Sequence, residues 1–191
     1  MKKIIASLAL SALASTSAMA SVFVDAVAQP GNAVQDFSDA GLIAFNLDLG
    51  NLSTVTLNYT LTAEDLTGPI TFNAVVANLG ALDLNKVRFS LSGASFASIG
   101  TVSRSFGGTA TVETWGGNSH ARITLDTPEY FELEVGNPYV QAGQIDWTIA
   151  TGSLKAGDTL SITVAVPEPQ TYAMVLAGLA VAGVVARRRR A

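Results

Sequence analysis

The residues that could do chemistry in this chain are few. One histidine, His120, follows Gly116-Gly117-Asn118, and there is no cysteine. A Ser-His-Asp arrangement is formally available, because Ser and Asp abound. No G-x-S-x-G elbow presents a serine, however, and a lone loop histidine is ordinarily just solvated. One His without Cys leaves only carboxylates as further zinc ligands, which argues against a zinc centre. Asp36 and Asp39, near Asp25, offer oxygen donors of the kind Ca²⁺ takes, but no D-x-D-x-D-G loop holds them. Turn and capping roles account for them. The expectation is a protein that is not an enzyme, with no catalytic residue, metal or cofactor. The aromatic residues beside turns are the remaining candidates. Trp115 precedes Gly116-Gly117, and Tyr139 follows Pro138. Exposed there, they would stack on sugar rings, with Asn118 or Asp146 adding hydrogen bonds. The plainer reading is packing aromatics.

The elements that must position these residues read as strands. Residues 53–62 alternate without a break: Val55, Leu57, Tyr59 and Leu61 fall on one face, Thr54, Thr56, Asn58 and Thr60 on the other. Period two is the signature of a half-buried strand. Residues 86–92 repeat it with Val87, Phe89 and Leu91 inward. Ala121, Ile123 and Leu125 alternate with Arg122 and Thr124; Phe131, Leu133 and Val135 alternate with Glu132 and Glu134. Leu160, Ile162, Val164 and Val166 close the series. Weaker candidates cover 22–28, 42–49, 70–78, 96–102, 109–114 and 145–150. Between them lies turn chemistry, such as Gln29-Pro30-Gly31-Asn32, Thr67-Gly68-Pro69 and Gly136-Asn137-Pro138. No helical stripe and no fixed-period repeat interrupt the body. Strands at this spacing with one apolar face predict an all-β fold, an antiparallel β-sandwich of jelly-roll or immunoglobulin-like topology.

Of 191 residues, the two ends stand apart from this body. Six of the eleven basic residues lie in them: Lys2, Lys3, Arg187, Arg188, Arg189 and Arg190. The stretch between keeps five cations against fifteen Asp and Glu, Glu168 included, so it carries about −10. Such a surface repels phosphate backbones and disfavours nucleic acid as a partner. Residues 1–20 read as a signal peptide: Lys2-Lys3, a short apolar run, then Ala18-Met19-Ala20, small at the two positions that a signal peptidase inspects before Ser21. The run is too short to span a bilayer. A domain of residues 21–165 follows. Residues 166–191 form a tail in three parts: Val166-Pro167-Glu168-Pro169, an uncharged apolar run at 171–186, and Arg187 to Arg190. The prolines keep the first part extended and accessible. The run, about 24 Å long as a helix, is slightly short for a core of about 30 Å, and the arginines stay on the cytoplasmic side by the positive-inside rule.

This tail resembles the PEP-CTERM sorting signal, also catalogued as the ice-binding protein C-terminal motif. The resemblance rests on V-P-E-P, T-Y-A-M, the Gly/Ala/Leu/Val run and R-R-R-R in that order at the C-terminus. It implies an exported protein of a Gram-negative bacterium that makes exopolysaccharide. It also implies that an exosortase recognises Pro167, Glu168 and Pro169 and removes a transient transmembrane helix. Phe23-Val24-Asp25-Ala26-Val27 is similar to the F-x-D-x-F motif of one PEP-CTERM subgroup, with Val27 in place of the second aromatic. Read physically, it is an edge strand with Phe23 and Val27 inward. The outward Thr54, Thr56 and Thr60 do not make an ice-facing array, since one strand is not an array and threonine favours strands. The function expected is a cell-surface or matrix protein associated with exopolysaccharide and biofilm. A carbohydrate-binding module in the same layer is the alternative, and a secreted hydrolase the third reading.

Overall fold

The structure, a computed structural model, describes residues 21–167 and Leu179. The signal peptide, with Ala18 and Ala20, lies outside the described residues. So do Glu168, Pro169, Arg187 to Arg190, and all of the expected helix at 171–186 but Leu179. Among the described residues no helix is long and apolar enough to cross a membrane.

The body is all-β. Its strands, in chain order, are β1 Val22–Val27, β2 Ala33–Asp36, β3 Leu42–Leu49, β4 Val55–Thr60, β5 Ile70–Asn78, β6 Leu84–Ser92, β7 Ser95–Ser98, β8 Val102–Arg104, β9 Ala110–Trp115, β10 His120–Glu129, β11 Glu132–Val135, β12 Trp147–Ala150 and β13 Thr159–Ala165. They form two sheets. The first runs β1-β4-β13-β6-β10-β9, antiparallel throughout. The second runs β2-β3-β5-β11-β8, with β12 and β7 continuing beside the first half of β5. The second sheet departs from the antiparallel expectation, because β3 and β5 pair in parallel from Leu42↔Thr71 to Leu49↔Asn78. A parallel neighbour requires a crossover. Here β4 supplies it by crossing to the other sheet between β3 and β5. The sandwich is therefore mixed.

Alternation chooses which residues fill the space between the sheets. Val55, Leu57, Tyr59 and Leu61 are buried, as are Val87, Phe89, Leu91, Ile123, Leu125, Leu133, Leu160, Ile162 and Val164, all at the inward positions read from the sequence. At the centre the Phe72 ring meets four others, Phe45, Phe89, Phe96 and Trp147, at centroid distances of 5.7–6.3 Å. Tilted and edge-to-face geometries of this kind add to burial itself. Phe89 comes from the first sheet and the others from the second, so the cluster ties the two together. The indole N–H of Trp147 donates to the carbonyl of Thr101 at 3.1 Å, so this buried donor is satisfied.

Two inward assignments fail, each for a local reason. Val27 is exposed, because a register shift between Phe23 and Asp25 inserts an extra residue at Val24. A bulge of this kind moves every later side chain to the other face. Phe23 still packs on Tyr59 at 5.5 Å, while Ala26 replaces Val27 opposite Leu57. The F-x-D-x-F-like segment thus turns only its first member to the core. Phe131 is also exposed. The corner before β11 is filled by Glu129, which is fully buried and accepts the N–H of Phe131 at 3.0 Å. The phenyl ring turns outward and packs on Phe106 at 6.4 Å.

Phe72→Ala should lower the unfolding free energy by about 3–5 kcal/mol, as removal of a buried phenyl does. Phe131→Ala should cost less than about 1 kcal/mol, as at an ordinary surface site. Urea titration followed by tryptophan emission checks both; a large cost for Phe131→Ala would restore it to the core.

Candidate functional site

The outer face of the first sheet carries Trp115. Register aligns a row of side chains across five strands: Trp115 of β9, His120 of β10, Ser90 of β6, Thr163 of β13 and Thr56 of β4. The Trp115 and His120 rings stack at 5.2 Å with 20° between their planes. Imidazole Nδ1 lies 2.9 Å from the Ser90 hydroxyl. Thr163 and Thr56 share a hydrogen bond at 3.1 Å. The Arg122 guanidinium lies 5.7 Å from the Trp115 ring centroid and pairs with Glu113 on β9. Trp115 is 40 % exposed, a partly covered aromatic on a polar sheet face. Asn118, in the left-handed conformation at φ 63°, accepts the Thr114 hydroxyl at 2.9 Å within the same hairpin turn.

Tyr139 lies on the opposite side of the molecule. Residues 136–146 fold over the outer face of the second sheet, and their seat is built on Asn73 of β5. Its side-chain oxygen accepts the N–H of Asn137 at 2.7 Å. Gly136 is obligatory there: at φ 78°, a Cβ would stand 2.0 Å from that oxygen and 2.8 Å from the Phe72 carbonyl. Tyr139 then closes a pocket of about 240 Å³ with Phe37, Ala44, Phe45, Asn46, Asn73 and Pro138. Burial, then the nearby Glu132 and Glu134, raise its phenol above the ordinary range. The structure therefore does not join Trp115 and Tyr139 in one surface; each sits on its own sheet.

The three aspartates do not converge either. Asp25 accepts from the Asn58 amide at 2.7 Å on the first sheet. Asp36 accepts from Ser38 at 2.7 Å and Tyr59 at 3.3 Å, and Asp39 accepts the N–H of Ala40. Among the described residues no group of three or more His, Cys, Asp or Glu side chains is placed to hold a metal.

Sequence reasoning missed a buried charge cluster. Arg104 at the end of β8 is almost wholly enclosed, with its Nε 3.4 Å from buried Glu129 of β10 and a second ion pair to Asp126. Its other nitrogen donates to the Thr127 carbonyl at 2.9 Å. The cluster links a strand of each sheet. Nothing in the local alternation marks it, because Arg104 follows the weak segment 96–102 and the partners lie more than twenty positions on. The Thr109 N–H, its hydroxyl and Arg104 together hold the Asp126 carboxyl well below the usual carboxylate range.

The exit of the chain from the fold completes the geometry. The last strand, β13, lies inside the first sheet between β4 and β6. Val164 pairs with Phe89 and Ala165 with Arg88, Val166 is still buried, and Pro167 is exposed. The acceptor-only proline thus stands at the surface one residue after the core ends. Residues 165–190 match the family of the PEP-CTERM protein-sorting motif. The tail is a PEP-CTERM sorting signal. No curated protein and no solved structure matches the chain. The PEP-CTERM motif marks the protein as exported and targeted to an exosortase. It begins on the final residue of β13, so the PEP-CTERM tail is joined to the sandwich without a spacer.

Because the Asp126 carboxyl is depressed in the folded state, its stabilising contribution is full above its ordinary value near 3.8 and is lost as pH falls through the lower, folded value. Asp126→Asn should therefore unfold more readily than wild type at neutral pH, and the gap should narrow in strong acid. Thermal melts at neutral and acid pH check this; a gap that widens in acid would contradict it.

Proposed function

We propose that this protein is a non-enzymatic component of the bacterial surface, delivered through the exosortase route and retained in the exopolysaccharide layer of a biofilm. A signal peptidase cleaves between Ala20 and Ser21. The helix at 171–186 then halts in the inner membrane with Arg187 to Arg190 on the cytoplasmic side, since apolar residues partition into lipid and four guanidinium groups resist crossing. The exosortase acts at Pro167-Glu168-Pro169 and removes the helix. The match over residues 165–190 carries this reading. The exposure of Pro167 directly after buried Val166 supports it, because a motif whose first proline stands at the surface is within reach of a processing enzyme.

One observation favours a second reading, that the body is a carbohydrate-binding module. Trp115 is partly exposed on a polar sheet face beside Arg122 and a row of hydroxyls, the kind of setting in which a ring stacks on sugar. Tyr139, over its own pocket, is a separate and weaker contact in this reading.

N-terminal sequencing of the exported form should begin at Ser21; a retained Met1 would remove the signal-peptide reading. Intact mass of the surface form should lack Arg187 to Arg190 in wild type and retain them in Pro167→Ala/Pro169→Ala. Identical processing of both forms would leave a permanent anchor instead. Loss of binding to purified exopolysaccharide on Trp115→Ala, with Tyr139→Ala unaffected, would select the module reading.

A further inference from the structure

One end of the sandwich carries four of the exposed large apolar residues, Leu79, Phe106, Tyr130 and Phe131. Strand directions fix which end it is. β13 runs toward it, finishing at Ala165 opposite Arg88 in the middle of β6, and β6 begins there at Leu84. β10 also finishes there, with Glu129 opposite Leu84, and the chain turns through Tyr130 and Phe131 into β11. β5 arrives at the same turn, where the Asn78 N–H donates to the Phe131 carbonyl at 2.7 Å. β8 ends there too, with Arg104 opposite Leu133 and Phe106 just beyond. Leu79, Phe106, Tyr130 and Phe131 are exposed by 68, 74, 48 and 56 %.

These four residues are fastened in place. Phe106 and Phe131 pack edge to face, and the Tyr130 hydroxyl donates to Asp83 at 2.8 Å. The loop that carries Leu79 is braced by the N–H groups of Leu79 and Gly80, which donate to the Leu49 carbonyl at 2.9 and 3.0 Å. Two phenyl rings, a phenol and a leucine exposed at one end are the kind of patch that marks an interaction surface.

The tail leaves from the same end. Between buried Val166 and Thr171, where the apolar run begins, stand only Pro167, Glu168, Pro169 and Gln170. Five residue steps reach at most about 18 Å even when fully extended. A body anchored through that run is held with this end toward the bilayer. Aromatic side chains are the ones that favour the bilayer–water boundary.

We propose that, while the tail is anchored, this end docks on the phospholipid surface, with Phe106, Phe131, Tyr130 and Leu79 entering the interface. The proposal rests on the reading of the tail as a membrane anchor. The contact is apolar rather than electrostatic. Lys86 lies toward this end, but Asp83, Asp126 and Glu132 lie there with it, so no net positive patch faces the headgroups. Docking would hold the Pro-Glu-Pro segment at the depth of the interface and fix the orientation of the body toward a membrane-embedded enzyme. Removal of the tail would release it.

The chain has no cysteine, so single labels are straightforward. Fluorophores are placed at Ser105→Cys, at the docking end, and at Lys155→Cys, in the loop at the opposite end before β13. The chain from Ser21 to Ala191 is reconstituted into phosphatidylcholine vesicles bearing a headgroup nitroxide, and co-flotation shows that it is anchored. The label at position 105 should be quenched about threefold more than that at 155, as expected of a residue seated at the boundary. The difference should persist from about 0.1 to about 1 M salt, where the screening length falls from about 10 to 3 Å. Phe106→Ser/Phe131→Ser should abolish most of it while the chain still floats, and Leu79→Ser should reduce it. Circular dichroism of the variants controls for folding. Equal quenching at both positions in a floating chain overturns the docking proposal and leaves the anchor intact, as does a difference that the double variant leaves unchanged. Quenching between labels on two copies, without lipid quenching, assigns the patch to a second copy and also overturns it. A chain that does not float overturns the anchor reading and this one with it.

Discussion

Contact between aromatic rings across the two sheets is the interaction on which the rest of this molecule depends. A cysteine-free exported domain has no covalent brace, so the faces of its sheets must hold one another by burial alone. Phe72 does most to meet that demand. Its ring touches partners from β3, β6, β7 and β12, and only β6 belongs to the opposite sheet. The cluster therefore sets the distance and angle between the sheets as well as contributing burial. Trp147 completes it and satisfies its one polar atom on the Thr101 carbonyl, which pins the crossing between β7 and β8.

The buried Arg104–Glu129 pair acts at the edge of the sandwich as the aromatic cluster acts at its centre. It joins a strand of each sheet, and its hydrogen bonds to Asp126 and Thr127 leave little of the guanidinium unsatisfied. Ion pairs of this kind stabilise only when their remaining donors and acceptors are met, and they are costly when half broken. The cluster also explains why Phe131 faces outward: the corner it would have filled is taken by a carboxylate that needs polar partners. A patch on the surface and a charge in the interior are thus two consequences of one packing choice.

The sequence foretold the sandwich well where alternation was long and unbroken. From Val55 to Leu61 and from Leu160 to Val164 every inward assignment is met, because period two in a half-buried strand admits one register. Legibility failed where one residue broke the period. Val24 added a bulge that no residue type announces, and Val27 changed face. The parallel pairing of β3 with β5 was also hidden, since strands that follow one another at short intervals read as one antiparallel series until β4, between them, proves to belong to the other sheet. The sorting tail was legible in full as a motif, because its order of proline, apolar and arginine segments is local. Trp115 and Tyr139 were both correctly placed beside turns, but sequence proximity to a turn says nothing about which sheet the turn serves. Arg104 could not be read at all, for its partners are distant in the chain.

The position of β13 has a temporal meaning. It is the last strand to be made and the last to cross the membrane in a chain exported from its N-terminus, yet it lies between β4 and β6, with three strands on one side and two on the other. Until it arrives, β1 and β4 have no edge to join, and β6, β10 and β9 form a separate piece. The first sheet therefore closes as its final act, on a non-local pairing that is slow by nature. Since the sorting signal begins on the last residue of that same strand, the sheet can close only as the signal itself begins to emerge. A chain that stops short of Ala165 lacks both the complete central strand of the first sheet and the sorting signal.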